Sequence, residues 1–219
     1  MHTDLIQDII DNIRGKNKNK INTLKNNRDL KNIALNKEAF LLATGPSIKN
    51  QDLKKLAGKD CYSISNFFLH EDINIIKPKL HFFAPYHKPL VLENYVEWLK
   101  LADEKLPEET NIVLGLSNKD LAKQYNFFPK RKIYYLDMGE VNEVQTDLER
   151  RVMGPQTGPI MILPVLDYMG YNKINLLGCD MNRLQSYKKV TENFYDKSKD
   201  IRVNATDNKG WADIITELK

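Results

Sequence analysis

The sequence predicts an α/β protein, a single domain built on a mostly parallel sheet, and three observations lead there. From residue 38 onward, short apolar runs of strand length alternate with segments of helical spacing. Two of these runs, Phe40-Leu-Leu-Ala43 and Ile174-Asn-Leu-Leu177, are almost unbroken in apolar character, as strands covered on both faces are. Each runs into a glycine turn, Gly45-Pro46-Ser47 after the first and Gly178-Cys179-Asp180 after the second. Turns at the carboxyl ends of parallel strands are where nucleotides bind in open α/β folds, so the pair points to a Rossmann-like nucleotide site.

Taken in order, residues 4–14 predict a short amphipathic helix, with Leu5, Ile6, Ile9, Ile10 and Ile13 at helical spacing. Gly15 opens a run rich in Lys and Asn over 16–31, and Ile21, Leu24, Leu30 and Ile33 form a second helical series. Residues 1–37 therefore read as a basic helical arm on a domain that spans 38–219. The arm packs as a hairpin on this domain, or on a second copy of it in a homo-oligomer. The functional alternative is peripheral contact with an anionic membrane surface. The first strand is expected at 39–43, followed by a helix at 51–56 that Gly58 terminates. Strands follow at 61–66, ending in Asn66-Phe67-Phe68, and at 80–84, ending in Pro85-Tyr86-His87. A helix at 90–101 carries Trp98 and Leu101 on its apolar face, and strands are expected at 111–115 and 133–136. Residues 158–169 make a helix apolar nearly all round, hence buried, and 174–177 a last core strand in the centre of the sheet.

Bulk properties narrow the function classes. A chain of 219 residues with 42% hydrophobic and 28% charged residues suits one soluble domain, and much of the net charge of +4 lies in the first 60 residues. No run approaches the about 18 apolar residues a membrane span needs, and Met1-His-Thr-Asp lacks an apolar signal core. Cys61 and Cys179 lie among apolar neighbours with no metal spacing, so they read as reduced cysteines of a cytoplasmic protein. The Lys/Asn run has no interleaved aromatics, which argues against a nucleic-acid partner.

The candidate residues sit at strand ends. Gly45 permits close approach of a phosphate, Ser47 and Thr44 supply hydroxyls, and Pro46 removes one amide donor, so this is neither a Walker loop nor GxGxxG. Read plainly, Gly-Pro is an everyday turn. Asn66 presents an amide to a base or ribose, or caps its strand end. Thr157 is an N-cap for the buried helix, with Gly158 and the amides behind it offering an anion site. Asp180 binds a hydroxyl or acts as a base. His87 lies just past a strand end and reaches the cleft, or is simply exposed; no histidine follows it. Tyr187, Tyr195 and the cluster Asn193-Phe194-Tyr195-Asp196 form an aromatic lid or an ordinary loop staple.

Together ATGPSIKN, a strand ending SNFF, and TGPIMILPVLDYMGYNKINLLGCDMN resemble the bacterial lipooligosaccharide sialyltransferases and their relatives, the 6-hydroxymethylpterin diphosphokinase-like surface-carbohydrate proteins. The likeness covers roughly residues 38–200. It implies that Gly45, Pro46, Ser47 and Asn66 hold the cytidine monophosphate of a CMP-sugar donor, that Thr157 and Gly158 contact the donor, and that Gly178 and Asp180 line the same cleft. It implies a tyrosine beyond Asp180 on the donor phosphate, with Tyr187 the nearest. It further implies no metal, no tightly bound cofactor, and a histidine as base on the acceptor hydroxyl. Here the expected stretch, residues 205–211, holds no histidine, which leaves Asp180 or His87 for that task. The leading expectation is a sialyltransferase-like enzyme that moves a sugar from a CMP-activated donor to a hydroxyl of a cell-surface glycan. The alternatives are pyrophosphate transfer from ATP, which calls for Mg²⁺ and clustered carboxylates, and a non-catalytic nucleotide-binding assembly protein.

Overall fold

The computed structural model describes residues 15, 17–87, 90–143, 145–154, 157–180 and 193–196. The expected helix at 4–14, His2, Tyr187 and residues 205–211 lie outside them.

Among the described residues seven strands form one sheet: β1 (Glu38–Leu42), β2 (Cys61–Ile64), β3 (Leu80–Phe82), β4 (Asn111–Gly115), β5 (Ile133–Gly139), β6 (Arg151–Met153) and β7 (Lys173–Leu177). Their order is β6-β5-β4-β3-β2-β1-β7, and every pairing is parallel. The α/β Rossmann-like class read from the alternation is thus the observed one. Side chains alternate across the sheet, so neighbours on one strand enter different cores. Leu41 packs with Tyr62, Phe82 and Val113 under α5 (Gly158–Tyr168), and Leu42 packs with Cys61, Phe83 and Leu114 under α3 (Leu92–Lys105). Both helices present apolar side chains that the sheet alone would leave wet: Trp98 and Leu99 from α3, Ile162, Val165 and Leu166 from α5. Burying a side chain of that size contributes about 1.5–3 kcal/mol.

From β1, one strand in from an edge, the chain steps strand by strand to β6 at the opposite edge. Helix α5 then leads back to β7 on the other side of β1. The order reverses between β1 and β7, and such a switch point opens a crevice at the carboxyl ends of its two strands.

Several expectations need correction. Residues 51–56 do not form a helix. Two 3-10 turns, Pro46–Asn50 and Leu53–Leu56, replace it, because Gln51 between them is extended. The second strand stops at Ile64, where Ser65 turns to φ +56 and enters the 3-10 turn Ser65–Leu69. The third strand stops at Phe82, the fifth extends to Gly139, and α3 runs four residues past Leu101. A single helical turn, α2 (Ile73–Ile76), the short α4 (Lys119–Gln124) and the three-residue β6 were too brief to leave a periodic signal. The strand at 174–177 is not central: among the described residues β7 pairs with β1 alone, and Leu176 is 52% exposed. An apolar run reports composition, not the number of neighbours a strand has.

The described part of the N-terminal arm is seated on this same domain. A helix over 17–25, which we label α1, continues into a 3-10 turn at Asn26–Leu30 and inserts Leu24 and Leu30 into buried positions. Asn27 is fully buried, and its Nδ2 donates to the carbonyls of Tyr135 and Leu148, both at 2.8 Å. Lys20 pairs with Asp137 at 2.6 Å, Arg28 with Glu149 at 2.7 Å, and Asp29 with Lys132. Of the arm's cations, Lys20 and Arg28 thus meet acids of the domain, and the arm's Asp29 meets a domain lysine. Among the described residues no helix is long and apolar enough to cross a membrane.

Candidate functional site

The two glycine turns, far apart in sequence, meet at the β1/β7 switch point. Ala43 N–H donates to the Leu177 carbonyl at 2.8 Å and Gly45 N–H to the Gly178 carbonyl at 2.9 Å, which carries the ladder past both strand ends. A side chain at Gly45 would put its Cβ 2.5 Å from the Gly178 carbonyl oxygen, so only glycine allows this approach. Gly178 turns the chain at φ +68, a left-handed conformation that favours glycine. That turn brings Asp180 beneath Ser47. Ser47 N–H donates to Oδ2 at 2.9 Å, and the Ser47 hydroxyl donates to Oδ1. Both carboxylate oxygens of Asp180 thus engage the Gly45-Pro46-Ser47 loop, and Asp180 sets the loop's orientation. The Thr44 carbonyl accepts from Phe194 N–H at 3.1 Å, which seats the 193–196 segment beside the loop. There Phe194 packs on Phe67 and His70. Cys179 lies between the turn residues; burial pushes its thiol up to about 11, and Cys61's up to about 12, so neither is primed as a nucleophile.

At the exit of β2, Asn66 faces inward. It is fully buried, its Oδ1 accepts from Trp98 Nε1, and among the described residues its Nδ2 has no partner. The turn before it is held by His81, whose Nδ1 sits 2.7 Å from the Ser63 hydroxyl and whose Nε2 is 2.9 Å from the Ser65 carbonyl. A carbonyl only accepts, so Nε2 carries the proton and Nδ1 receives the serine's. Burial drives the His81 pKa down to about 3, so the folded protein keeps it neutral. The sign follows. His81's contribution is whole above about pH 6.5, where the unfolded chain is also neutral, and is lost as pH falls toward 3, because the unfolded chain takes up the proton first. Between pH 7 and 5 the His81 share of the stability loss is expected to be about 2 kcal/mol. Urea unfolding of wild type and His81→Asn at both pH values checks it; equal losses in the two proteins would reject the assignment.

A cleft of about 860 Å³ lies farther along the same edge of the sheet. Pro85 and His87 enter it from the exit of β3, Leu116 and Ser117 from β4, Asp137 and Met138 from β5, and Arg151 from β6. The N-terminus of α5 closes it with Thr157, Gly158 and Met161. Thr157 is the N-cap, with extended backbone and no side-chain cap hydrogen bond. A Cβ on Gly158 would lie 2.7 Å from Ile64 Cδ1, so glycine lets α5 rest directly on the exit of β2. Apart from Asn66, which is buried against Trp98, the described predicted residues fall in two neighbouring places. Thr44, Gly45, Pro46, Ser47, Gly178 and Asp180 gather at the switch point, while His87, Thr157 and Gly158 line the cleft, with the α5 N-terminus between. Among the described residues no three His, Cys, Asp or Glu side chains converge as a metal site.

Sequence reasoning missed Asp137, Ser117 and Arg151. Asp137 follows the apolar run at 133–136 as Asp180 follows 174–177, so the same strand-end logic would have found it. Compared with protein-family models, with curated proteins and with solved structures, the chain matches none.

Proposed function

We propose that this chain is a sialyltransferase-like glycosyltransferase of the cytoplasm, which binds a CMP-activated sugar and moves the sugar to a hydroxyl of a glycan. The observation that carries the reading is the meeting of the Gly45-Pro46-Ser47 loop with Gly178-Cys179-Asp180 at the β1/β7 switch point, beside a helix N-terminus. The cytidylate lies along the loop, and the α5 amides face its phosphate, where a helix N-terminus favours negative charge. In the reaction the acceptor oxygen bonds to the anomeric carbon. The bond from that carbon to the phosphate oxygen breaks, and its electron pair leaves with CMP. The acceptor's proton passes to His87, the histidine that lines the cleft. His81 is fully buried and His70 stacks on Phe67, so neither competes for that role.

Calorimetric titration with CMP, UMP, GMP and ATP, with and without Mg²⁺, tests the donor assignment. CMP binding is expected, and Ser47→Ala should weaken it about tenfold by removing the hydroxyl that keys the loop to Asp180. His87→Ala should leave CMP binding intact and depress sugar transfer by about a hundredfold or more. Binding confined to ATP with Mg²⁺ would reassign the chain to pyrophosphate transfer, and no nucleotide binding at all would overturn the proposal.

A further inference from the structure

Asp137 is an unusual carboxylate. It is 8% exposed, lines the cleft, and sits two residues before the end of β5. Two cations reach it, Lys20 from α1 at 2.6 Å and Arg151 from β6 at 3.2 Å, and both bind the same oxygen, Oδ2. No described residue donates to Oδ1, which still keeps accessible surface. Oδ1 is therefore an accessible acceptor on a residue that lines the cleft. The arrangement holds a place for a donor from outside the protein.

Arg151 supplies the complementary half. Its Nε is committed to Asp137, its side chain is 53% exposed, and no described group accepts from its terminal nitrogens. The guanidinium lies against the backbone of Gly139, where a Cβ would come within 3.1 Å of Arg151 Cδ and 3.2 Å of Nε. Glycine at 139 thus lets the planar fork settle beside the carboxylate. Around this pair the cleft offers Leu116, Met138 and Met161, apolar side chains, and the Ser117 hydroxyl.

We infer that the cleft over β3–β6 is a saccharide subsite, in which Asp137 Oδ1 accepts from one sugar hydroxyl and Arg151 donates to the neighbouring one. An acceptor and a forked donor side by side match adjacent hydroxyls, each of which gives one hydrogen and accepts another. The apolar side chains suit the C–H face of the ring. Lys20 makes α1 part of the site, since it holds the second oxygen of Asp137 and leaves the first for the ligand. That the saccharide is the acceptor of a transfer rests on the function proposed above; that the cleft binds one does not.

The test uses the full chain and saturation-transfer NMR with methyl β-galactoside, methyl β-N-acetylglucosaminide and lactose, with CMP titrated into the same samples. At least one saccharide should bind wild type, and Asp137→Asn should weaken it by about tenfold or more with CMP affinity unchanged. Should Asp137→Asn not fold, Arg151→Ala, at an exposed side chain, is expected to give the same loss. Saccharide binding that neither variant alters, or no saccharide binding while CMP binds, would overturn the subsite and leave the nucleotide assignment standing. Saccharide binding that depends on Asp137 without any CMP binding would uphold the subsite and defeat the transferase reading.

Discussion

Replacing Arg131 with alanine is expected to destabilise the fold by about 4 kcal/mol, the range seen when one partner of a buried charged network is removed. Its side chain is only 5% exposed, and every nitrogen of its guanidinium is used. Nε donates to the Asp103 carboxylate at 2.6 Å. One terminal nitrogen serves the carbonyls of Pro107 and Thr110, and the other those of Asp103 and Leu106, both at 2.8 Å. These carbonyls belong to the end of α3 and the turn that follows, where a helix leaves its last acceptors unmet and favours positive charge. Alanine would take this donor from the carbonyls of Asp103, Leu106 and Thr110 and from the Asp103 carboxylate, while Pro107 would keep its bond from Thr110 N–H. Lysine is expected to recover little, since one ammonium cannot reproduce a planar fork aimed at five acceptors. Urea unfolding monitored by circular dichroism measures the effect, and a loss below about 1 kcal/mol would show that water replaces the guanidinium there. The residue has a functional consequence too. It stands two positions before β5, the strand that delivers Asp137 to the cleft, and so ties the register of that strand to the end of α3.

Much of the fold was legible because parallel α/β architecture writes itself as alternating strand and helix segments. Strand β1, flanked by β2 and β7, announced its burial through Phe40–Ala43, and α5 through a surface apolar at nearly every position. Features set by only a few residues were not legible. Three residues of β6 carry no period, and Ser65 at φ +56 has nothing in its type to foretell a left-handed turn. The N-terminal arm misled for a related reason. Lysines and asparagines read as solvated, yet Asn27 is wholly buried and joins β5 to residue 148, because an amide can satisfy two backbone carbonyls that an apolar side chain would leave unmet. At the site, the pairing of residues 45–47 with 178–180 was foreseeable, since both turns end strands with the same chemistry. The contribution of Lys20 to Asp137 was not, because it depends on where a helix from the far end of the chain comes to rest.

Gly45→Ala should be the most damaging single change to nucleotide binding, although it adds one methyl group. The glycine's own backbone is ordinary, with φ −65 and ψ 156, so no conformational strain arises. The damage comes from space. The new Cβ would stand 2.5 Å from the Gly178 carbonyl oxygen and 2.6 Å from both Cγ and Oδ2 of Asp180. Two of these atoms belong to the carboxylate that grips Ser47, and the third is backbone, which cannot swing away as a side-chain tip does. Relief requires the loop to lift off β7, which breaks the bond from Gly45 N–H to Gly178 and both bonds from Ser47 to Asp180. Overpacking of this kind costs about 1–3 kcal/mol in stability. Affinity for CMP should fall by about a hundredfold, the equivalent of about 3 kcal/mol. Gly58→Ala is the matched control. It carries φ +73, and nothing lies within 4 Å of its added methyl, so it should lose about 1 kcal/mol of stability through backbone strain and keep its CMP affinity. Thermal melting and CMP titration of both variants separate the two effects. If Gly45→Ala bound CMP as wild type does, the nucleotide would have to lie away from the β1/β7 switch point, and the proposed donor site would fall with it.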